Sequence, residues 1–202
     1  MDFLPRIQPP VGHHSQFINL QQPVNLILKE KVLSLTGDAF DIKVDPGNGQ
    51  APFPICKVDP SLLTSKKSFY DMQGTQLFEL RKEHFHLVHE YMKLVDANGQ
   101  KFGEFKKNFK VGFGSKFTIT LTSPSGATQV LVMEGNWRDS VAEIKLEGTG
   151  SVCARIHRKS MLKSLSTFLF DQNSYMVTVA PGVDQVVVAA MCIVFDEWEN
   201  EA

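Results

Sequence analysis

The sequence predicts a mainly β fold, a barrel or a sandwich of roughly ten to twelve antiparallel strands. Turn signals recur through most of the chain, among them Asp45-Pro46-Gly47 and Asn98-Gly99. Between the turns lie short segments rich in β-branched and aromatic residues, as a series of hairpins would give. The segment KFTITL at residues 116–121 alternates polar and apolar residues, which is the pattern of a half-buried strand.

Composition and charge indicate a single domain inside the cell. The chain has 202 residues, of which 43% are hydrophobic, and its formal net charge is −1. A chain of this length can bury a core without disulfides or metal ions. The balance of acidic and basic residues argues against a nucleic-acid partner, which usually needs a basic excess. Cys56, Cys153 and Cys192 cannot all pair, so a reducing, intracellular compartment fits best.

Residues 1–23 are expected to form a loosely ordered N-terminal arm, followed by one domain over residues 24–202. The arm contains four prolines and lacks the apolar run of a signal peptide. Near the other end, residues 186–195 form an apolar run of ten residues. A bilayer-spanning helix needs about 20, so we expect no transmembrane span. Periodicity does not decide whether this run is a buried strand or a buried helix.

An internal repeat supports a series of hairpins. A shift of 25 residues aligns residues 69–82 with residues 94–107, and a weaker third copy lies at residues 150–158. Each of the first two copies contains an Asp, a turn Gly, an apolar strand and a basic pair. In the first copy the Asp, the Gly and the basic pair are Asp71, Gly74, Arg81 and Lys82; in the second they are Asp96, Gly99, Lys106 and Lys107. The unit predicts a β-hairpin whose Gly adopts a positive φ.

Five short stretches carry a family resemblance. They are residues 34–40 (SLTGDAF), 135–137 (GNW), 156–159 (IHRK) and 174–184 (SYMVTVAPGVD), and the apolar run that closes in Asp196-Glu197. In order and spacing they resemble the LURP-one-related proteins of the tubby C-terminal-like superfamily, over roughly residues 24–198. The resemblance implies a twelve-stranded antiparallel closed barrel that encloses a central hydrophobic C-terminal helix at about residues 183–198.

The motifs of common enzymes and metal sites are missing. There is no G-x-S-x-G nucleophile elbow, and the glycines at 112 and 114 lack the spacing of a phosphate-binding loop. His84, His86 and His89 form the best metal candidate, but they have no partner motif and are interpreted as polar residues on an exposed strand. A calcium loop starting at Asp171 lacks its required ligands. We therefore predict no enzyme activity, no metal and no cofactor.

Two basic stretches are the candidate ligand-binding residues. They occupy corresponding places in the repeat and could meet in one patch for an anionic headgroup, since Arg offers phosphate a fork and Lys a point charge. The candidates are Lys106, Lys107, Lys110, Arg155, Arg158, Lys159 and Lys163. The alternative interpretation is a rim of charges that keeps strand ends solvated. Tubby domains bind phosphoinositides, and the resemblance implies this activity at superfamily level only.

The resulting hypothesis is a non-enzymatic, intracellular binding module for phosphoinositide or other anionic lipid headgroups. We expect a monomer in the cytoplasm that is peripheral at the membrane. The main alternative is a protein-interaction scaffold without lipid affinity, whose binding would persist in salt. A less favoured alternative is lipid transfer of the phospholipid scramblase type, because scramblases are placed in the same superfamily.

Overall fold

In the computed structural model, twelve antiparallel strands form a closed barrel around one helix. The structure describes residues 4–31, 39–60, 66–83, 91–108, 115–136, 141–158 and 174–200. Each strand pairs with the next along the chain, and the last pairs with the first. The strands are β1 (Val24–Lys31), β2 (Ala39–Asp45), β3 (Phe53–Pro60), β4 (Lys66–Tyr70), β5 (Gln76–Glu83), β6 (Tyr91–Asp96), β7 (Lys101–Asn108), β8 (Ser115–Thr122), β9 (Thr128–Asn136), β10 (Val141–Leu146), β11 (Val152–Arg158) and β12 (Ser174–Val179). The predicted fold class is confirmed.

The barrel encloses the helix α1 (Gln185–Asn200). Every residue from Val186 to Phe195 is at most 1% exposed, so the helix is buried on all its faces. A helix that is apolar all round is stable only in such surroundings. Burial overrides the strand preference of the three consecutive valines at 186–188. The helix begins two residues later than the expected 183 because Asp184 is its N-cap, with Oδ1 accepting hydrogen bonds from the backbone of Val186 and Val187.

The repeat corresponds to two hairpins with the same turn. Asp71 Oδ1 accepts hydrogen bonds from the backbone nitrogens of Gln73 and Thr75, and Asp96 Oδ1 accepts the equivalent pair from Asn98 and Gln100. The turn glycines have φ values of 86° (Gly74) and 82° (Gly99), as the sequence predicts. The register then shifts by one residue in both hairpins and also between β10 and β11. The extra residues are Leu77, Phe102 and Cys153, and all three are buried.

The strand directions give the barrel two different ends. We call the end that carries these tight turns the turn end, and the end where the C-terminus of α1 lies the exit end. Odd-numbered strands run from the turn end towards the exit end. The helix enters at the turn end because it follows β12 directly through Pro181-Gly182.

Residues 4–23, part of the segment predicted from the sequence as a loosely ordered arm, lie across the turn end. The backbone nitrogens of Ile7 and Val11 donate hydrogen bonds to the carbonyl oxygens of Pro181 and Gly182, both at 2.8 Å. Leu4, Ile7 and Val11 are buried. These apolar side chains and the backbone hydrogen bonds hold the segment on the barrel, and proline content gives no indication of such packing.

Candidate functional site

Positively charged side chains lie on the outer face of four neighbouring strands, β4 to β7. Lys66 on β4 pairs with Arg81 on β5, and Arg81 pairs with Lys93 on β6. Neighbouring strands are about 4.8 Å apart, so this row places three cations side by side. Like charges directly opposite one another destabilise a sheet, so the row requires neutralising partners.

Glu79 provides the first partner. Its Oε1 lies 3.1 Å from Lys66 Nζ, and its Oε2 lies 2.8 Å from Arg81 Nε. Burial alone would raise the pKa of this carboxyl, but the hydrogen bonds and positive charges of Arg81 and Lys66 outweigh it and hold the pKa below its ordinary value. Glu79 is therefore a fixed negative charge between two cations.

Glu104 on β7 repeats this arrangement. Its carboxylate contacts Lys101 Nζ, and its Oε1 lies 3.3 Å from Lys106 Nζ. The hydrogen bond from Lys101 lowers the pKa of Glu104, burial opposes this, and Lys106 lowers the pKa further. The side chain of Lys106 is 53% exposed and also lies 5.9 Å from the centre of the Tyr91 ring.

We call these seven residues the cationic wall: Lys66, Glu79, Arg81, Lys93, Lys101, Glu104 and Lys106. The set contains five cations and two carboxylates. Only Lys106 was among the candidates from the sequence. The repeat was the signal that could have found Arg81, since it aligns Arg81 with Lys106, but the contribution of Lys66 and Lys93 depends on strand register.

Lys107 lies on the opposite face of β7 from Lys106 and points towards the barrel interior at the exit end. Its Nζ donates a hydrogen bond to the carbonyl oxygen of Trp198 at 3.1 Å and lies 5.9 Å from the centre of the Trp198 ring. Nearby, Lys67 Nζ lies 2.7 Å from Glu197 Oε1. Both lysines thus face the negative end of the helix dipole.

The second basic stretch lies on another part of the barrel. Arg155 on β11 donates a hydrogen bond to Glu143 Oε1 at 3.0 Å, and Lys145 lies 2.9 Å from Glu143 Oε2. Three strands separate β7 from β11, a distance of about 19 Å along the sheet. Lys106 and Arg155 therefore do not meet. Arg158 ends β11 opposite Tyr175, and Lys110, Lys159 and Lys163 lie outside the described residues.

The described part of the chain holds no group of three or more His, Cys, Asp or Glu side chains that could bind a metal ion. The histidines at 84, 86 and 89 fall outside it, and so do residues 171–173 at the start of the calcium-loop segment, whereas residues 174–179 of that segment form β12. Among the residues described, no helix has the length and apolar character needed to cross a bilayer.

The chain is similar to a known protein family and to a solved structure. The family model described as LURP-one-related matches residues 24–196, from the first residue of β1 into the last turns of α1. No curated protein matches the chain. Among solved structures, the X-ray structure of an Arabidopsis thaliana protein is similar, with 15% sequence identity, a TM-score of 0.42, and coverage of 94% of this chain and 99% of that one.

Proposed function

Because the chain belongs to the LURP-one-related family, we propose that it is a non-enzymatic binding module whose cationic wall takes the phosphate groups of anionic lipid headgroups. The observation that carries this proposal is the row Lys66, Arg81 and Lys93 on three adjacent strands. The strand pairing fixes the spacing of the three backbone positions, and Glu79 holds the side chains of Lys66 and Arg81 in place.

The number of cations that meet headgroups sets the expected strength of binding. A basic residue near an anionic membrane contributes about 1 kcal/mol, so each cation of the wall that meets a headgroup adds about fivefold in affinity. Arg81 would supply a planar fork for one phosphate, and the lysines would supply point charges for others. Glu79 and Glu104 keep the cations in place but also compete with the ligand, so binding should depend strongly on salt.

An intracellular site of action, peripheral at the membrane, is part of the same proposal. Cys56, Cys153 and Cys192 are all free and buried, which suits a reducing compartment. Phosphoinositides and phosphatidylserine give the cytoplasmic leaflet its negative surface potential, and a monomeric barrel could reach them with its outer wall.

Cosedimentation with vesicles tests the proposal. The wall variant carries Arg81→Gln, Lys93→Gln and Lys106→Gln, so Lys66 and Lys101 remain to pair with Glu79 and Glu104. The matched control carries Lys43→Gln, Lys57→Gln and Lys145→Gln, which removes the same charge from β2, β3 and β10. Vesicles of neutral lipid, of phosphatidylserine and of phosphoinositide are compared at low and physiological salt.

We expect wild type and control to bind the two anionic vesicles, more weakly at physiological salt, and the wall variant to lose most of this binding. Equal losses in wall variant and control would contradict a localised site. Salt-independent binding, or none, would favour the alternative of a protein-interaction scaffold.

The second basic stretch stays part of the proposal and has its own test. A variant with Arg155→Gln, Arg158→Gln and Lys159→Gln removes three charges from the β11 side. Since β11 lies about 19 Å from β7 along the sheet, we expect a smaller loss than in the wall variant. A loss as large as that of the wall variant would move the headgroup site to β11. Lys107, Lys110 and Lys163 can be added to these variants singly.

A further inference from the structure

A groove of about 430 Å³ lies at the turn end, between residues 16–19 and the turns that join β2 to β3 and β4 to β5. Seven of the twelve residues that line it are apolar, among them Phe17, Phe53, Ile55 and Met72. The Phe53 ring is 50% exposed, which is unusual for a large apolar side chain in a barrel with this degree of burial. The volume lies in the range of sites that bind small ligands or a few residues of peptide.

Gln185 is one of five polar residues that line this groove, with Gln16, Asn19, Asp71 and Gln73. Gln185 is the first residue of α1 and is only 8% exposed. Its carboxamide makes no hydrogen bond within the described part of the chain, although it lines the groove. The carboxamide atoms of Gln185 are not among the buried polar atoms that lack a partner, so they are open to the groove, and this group can donate and accept at the same time. The groove thus presents a donor and an acceptor to whatever fills it.

The charge of the groove differs from that of the cationic wall. No cation lines the groove, and Asp71 is the charged residue among those that do. Asp71 Oδ1 already accepts hydrogen bonds from the backbone of Gln73 and Thr75, whereas Oδ2 makes no hydrogen bond or ion pair within the described residues. A free carboxylate oxygen disfavours anionic headgroups and favours a ligand with a positive charge.

We propose that this groove binds a short, extended segment of a partner protein that carries an apolar side chain next to a lysine or arginine. A peptide unit offers one donor and one acceptor, which matches the carboxamide of Gln185. The apolar side chain would pack against Phe17 and Phe53, and the cation would reach Asp71 Oδ2. The barrel then has two separate sites, one for anions on the wall and one for peptides at the turn end.

Two matched probes test the proposal by ¹⁵N NMR on the full chain: N-acetyl-Leu-Lys-amide and N-acetyl-Leu-Glu-amide. The lysine probe should shift the side-chain amide signal of Gln185 and the backbone signals of Ile55 and Met72. It should bind about fivefold more tightly than the glutamate probe, as expected for a single partly exposed ion pair. If neither probe shifts the signals of the groove residues, the proposal is overturned.

Three variants separate the contributions. Asp71→Asn keeps the oxygen that holds the turn and removes the charge, so both probes should then bind equally. Gln185→Leu fills similar space without hydrogen bonds and should weaken both probes about fivefold or more. Phe53→Ser changes an exposed side chain, so the fold should tolerate it, and it should weaken both probes as well.

A preference for the lysine probe that persists in Asp71→Asn, or probe binding that is unchanged in Phe53→Ser, would overturn the assignment. Vesicle binding by all three variants should equal that of wild type, because the groove and the cationic wall share no residue. A failure of the peptide site is therefore distinguishable from a failure of the lipid site.

Discussion

The Nζ atom of Lys107 donates a hydrogen bond to the carbonyl oxygen of Trp198, the residue two positions before the end of α1. The last carbonyl groups of a helix have no partners within the helix and carry its negative dipole end. Lys107 supplies both a donor and a positive charge at that point. A residue that the sequence suggested for headgroup binding thus has a contact inside the barrel.

Replacing Lys107 should affect stability more than lipid binding. Lys107→Met keeps much of the aliphatic chain but loses the charge and the hydrogen bond, so the free energy of unfolding should fall by about 1–2 kcal/mol. Urea denaturation measures this change. Lys106→Met, on the outer face of the same strand, is the control and should change stability by less than about 0.5 kcal/mol. Equal effects of the two variants would contradict the helix-end role of Lys107.

Asp184 joins the N-terminal segment to the helix. Besides capping α1 through Oδ1, its Oδ2 accepts hydrogen bonds from the backbone nitrogens of His13 at 3.1 Å and His14 at 2.8 Å. Asp184→Ala removes the cap and leaves donors unpaired, so we expect a loss of about 3 kcal/mol. Hydrogen exchange in residues 4–19 should also become faster. Asp45→Ala, which removes one turn hydrogen bond to Gly47, should cost less than about 1 kcal/mol and leave that exchange unchanged.

Three ion-pair clusters predict how stability depends on pH. The pKa values of Glu79, Glu104 and Glu143 are all lowered in the folded protein. For Glu143 the hydrogen bond from Lys145 is the main cause; burial opposes it, and Arg155 lowers the pKa further. A carboxyl group whose pKa is lower in the folded protein stabilises the fold at pH values above its pKa in the unfolded chain, about 4.3. This contribution is lost as the pH falls through the folded values.

Urea denaturation between about pH 6 and about pH 3 should therefore show stability falling mainly below about pH 4.3. Glu104→Gln should make the fall shallower, because one of the three groups no longer titrates. A wild-type curve that is flat across this range would contradict the proposed ion-pair contribution.

The cysteines should be unreactive in the folded protein. Burial, with a smaller effect of the negative charge of Asp184, raises the pKa of Cys56 to about 12, and burial raises that of Cys153 to about 12. The pKa of Cys192 inside the helix is raised as well. Because the thiolate is the reactive form, a thiol reagent near neutral pH should modify these cysteines only after unfolding. Rapid modification under native conditions would show that the barrel opens locally.

The parts of the fold that depend on residues close together in the sequence could be predicted from it. Asp71 with Gly74, and Asp96 with Gly99, form turns whose chemistry lies within five residues, so the repeat identified them as hairpins. The helix could not be assigned in this way. Val186 to Val188 favour a strand locally, and only their position inside a closed sheet makes them helical; the family resemblance, not periodicity, supplied that information.

The candidate site was less predictable because it depends on register. Lys66, Arg81 and Lys93 lie 12 to 15 residues apart in the sequence and meet only because β4, β5 and β6 pair as they do. The sequence grouped Lys106 with Lys107 because they are adjacent. Adjacent residues on a strand face opposite sides, so the barrel separates them into a wall residue and an interior residue.

A ¹⁵N NMR titration of the full chain with inositol hexakisphosphate, a soluble polyanion that resembles a phosphoinositide headgroup, tests the central claim most directly. If the cationic wall binds anionic headgroups, the largest shifts will fall on amides of β4 to β7, and both physiological salt and the wall variant will suppress them. Shifts centred on β11, or shifts that survive in the wall variant, would contradict the account.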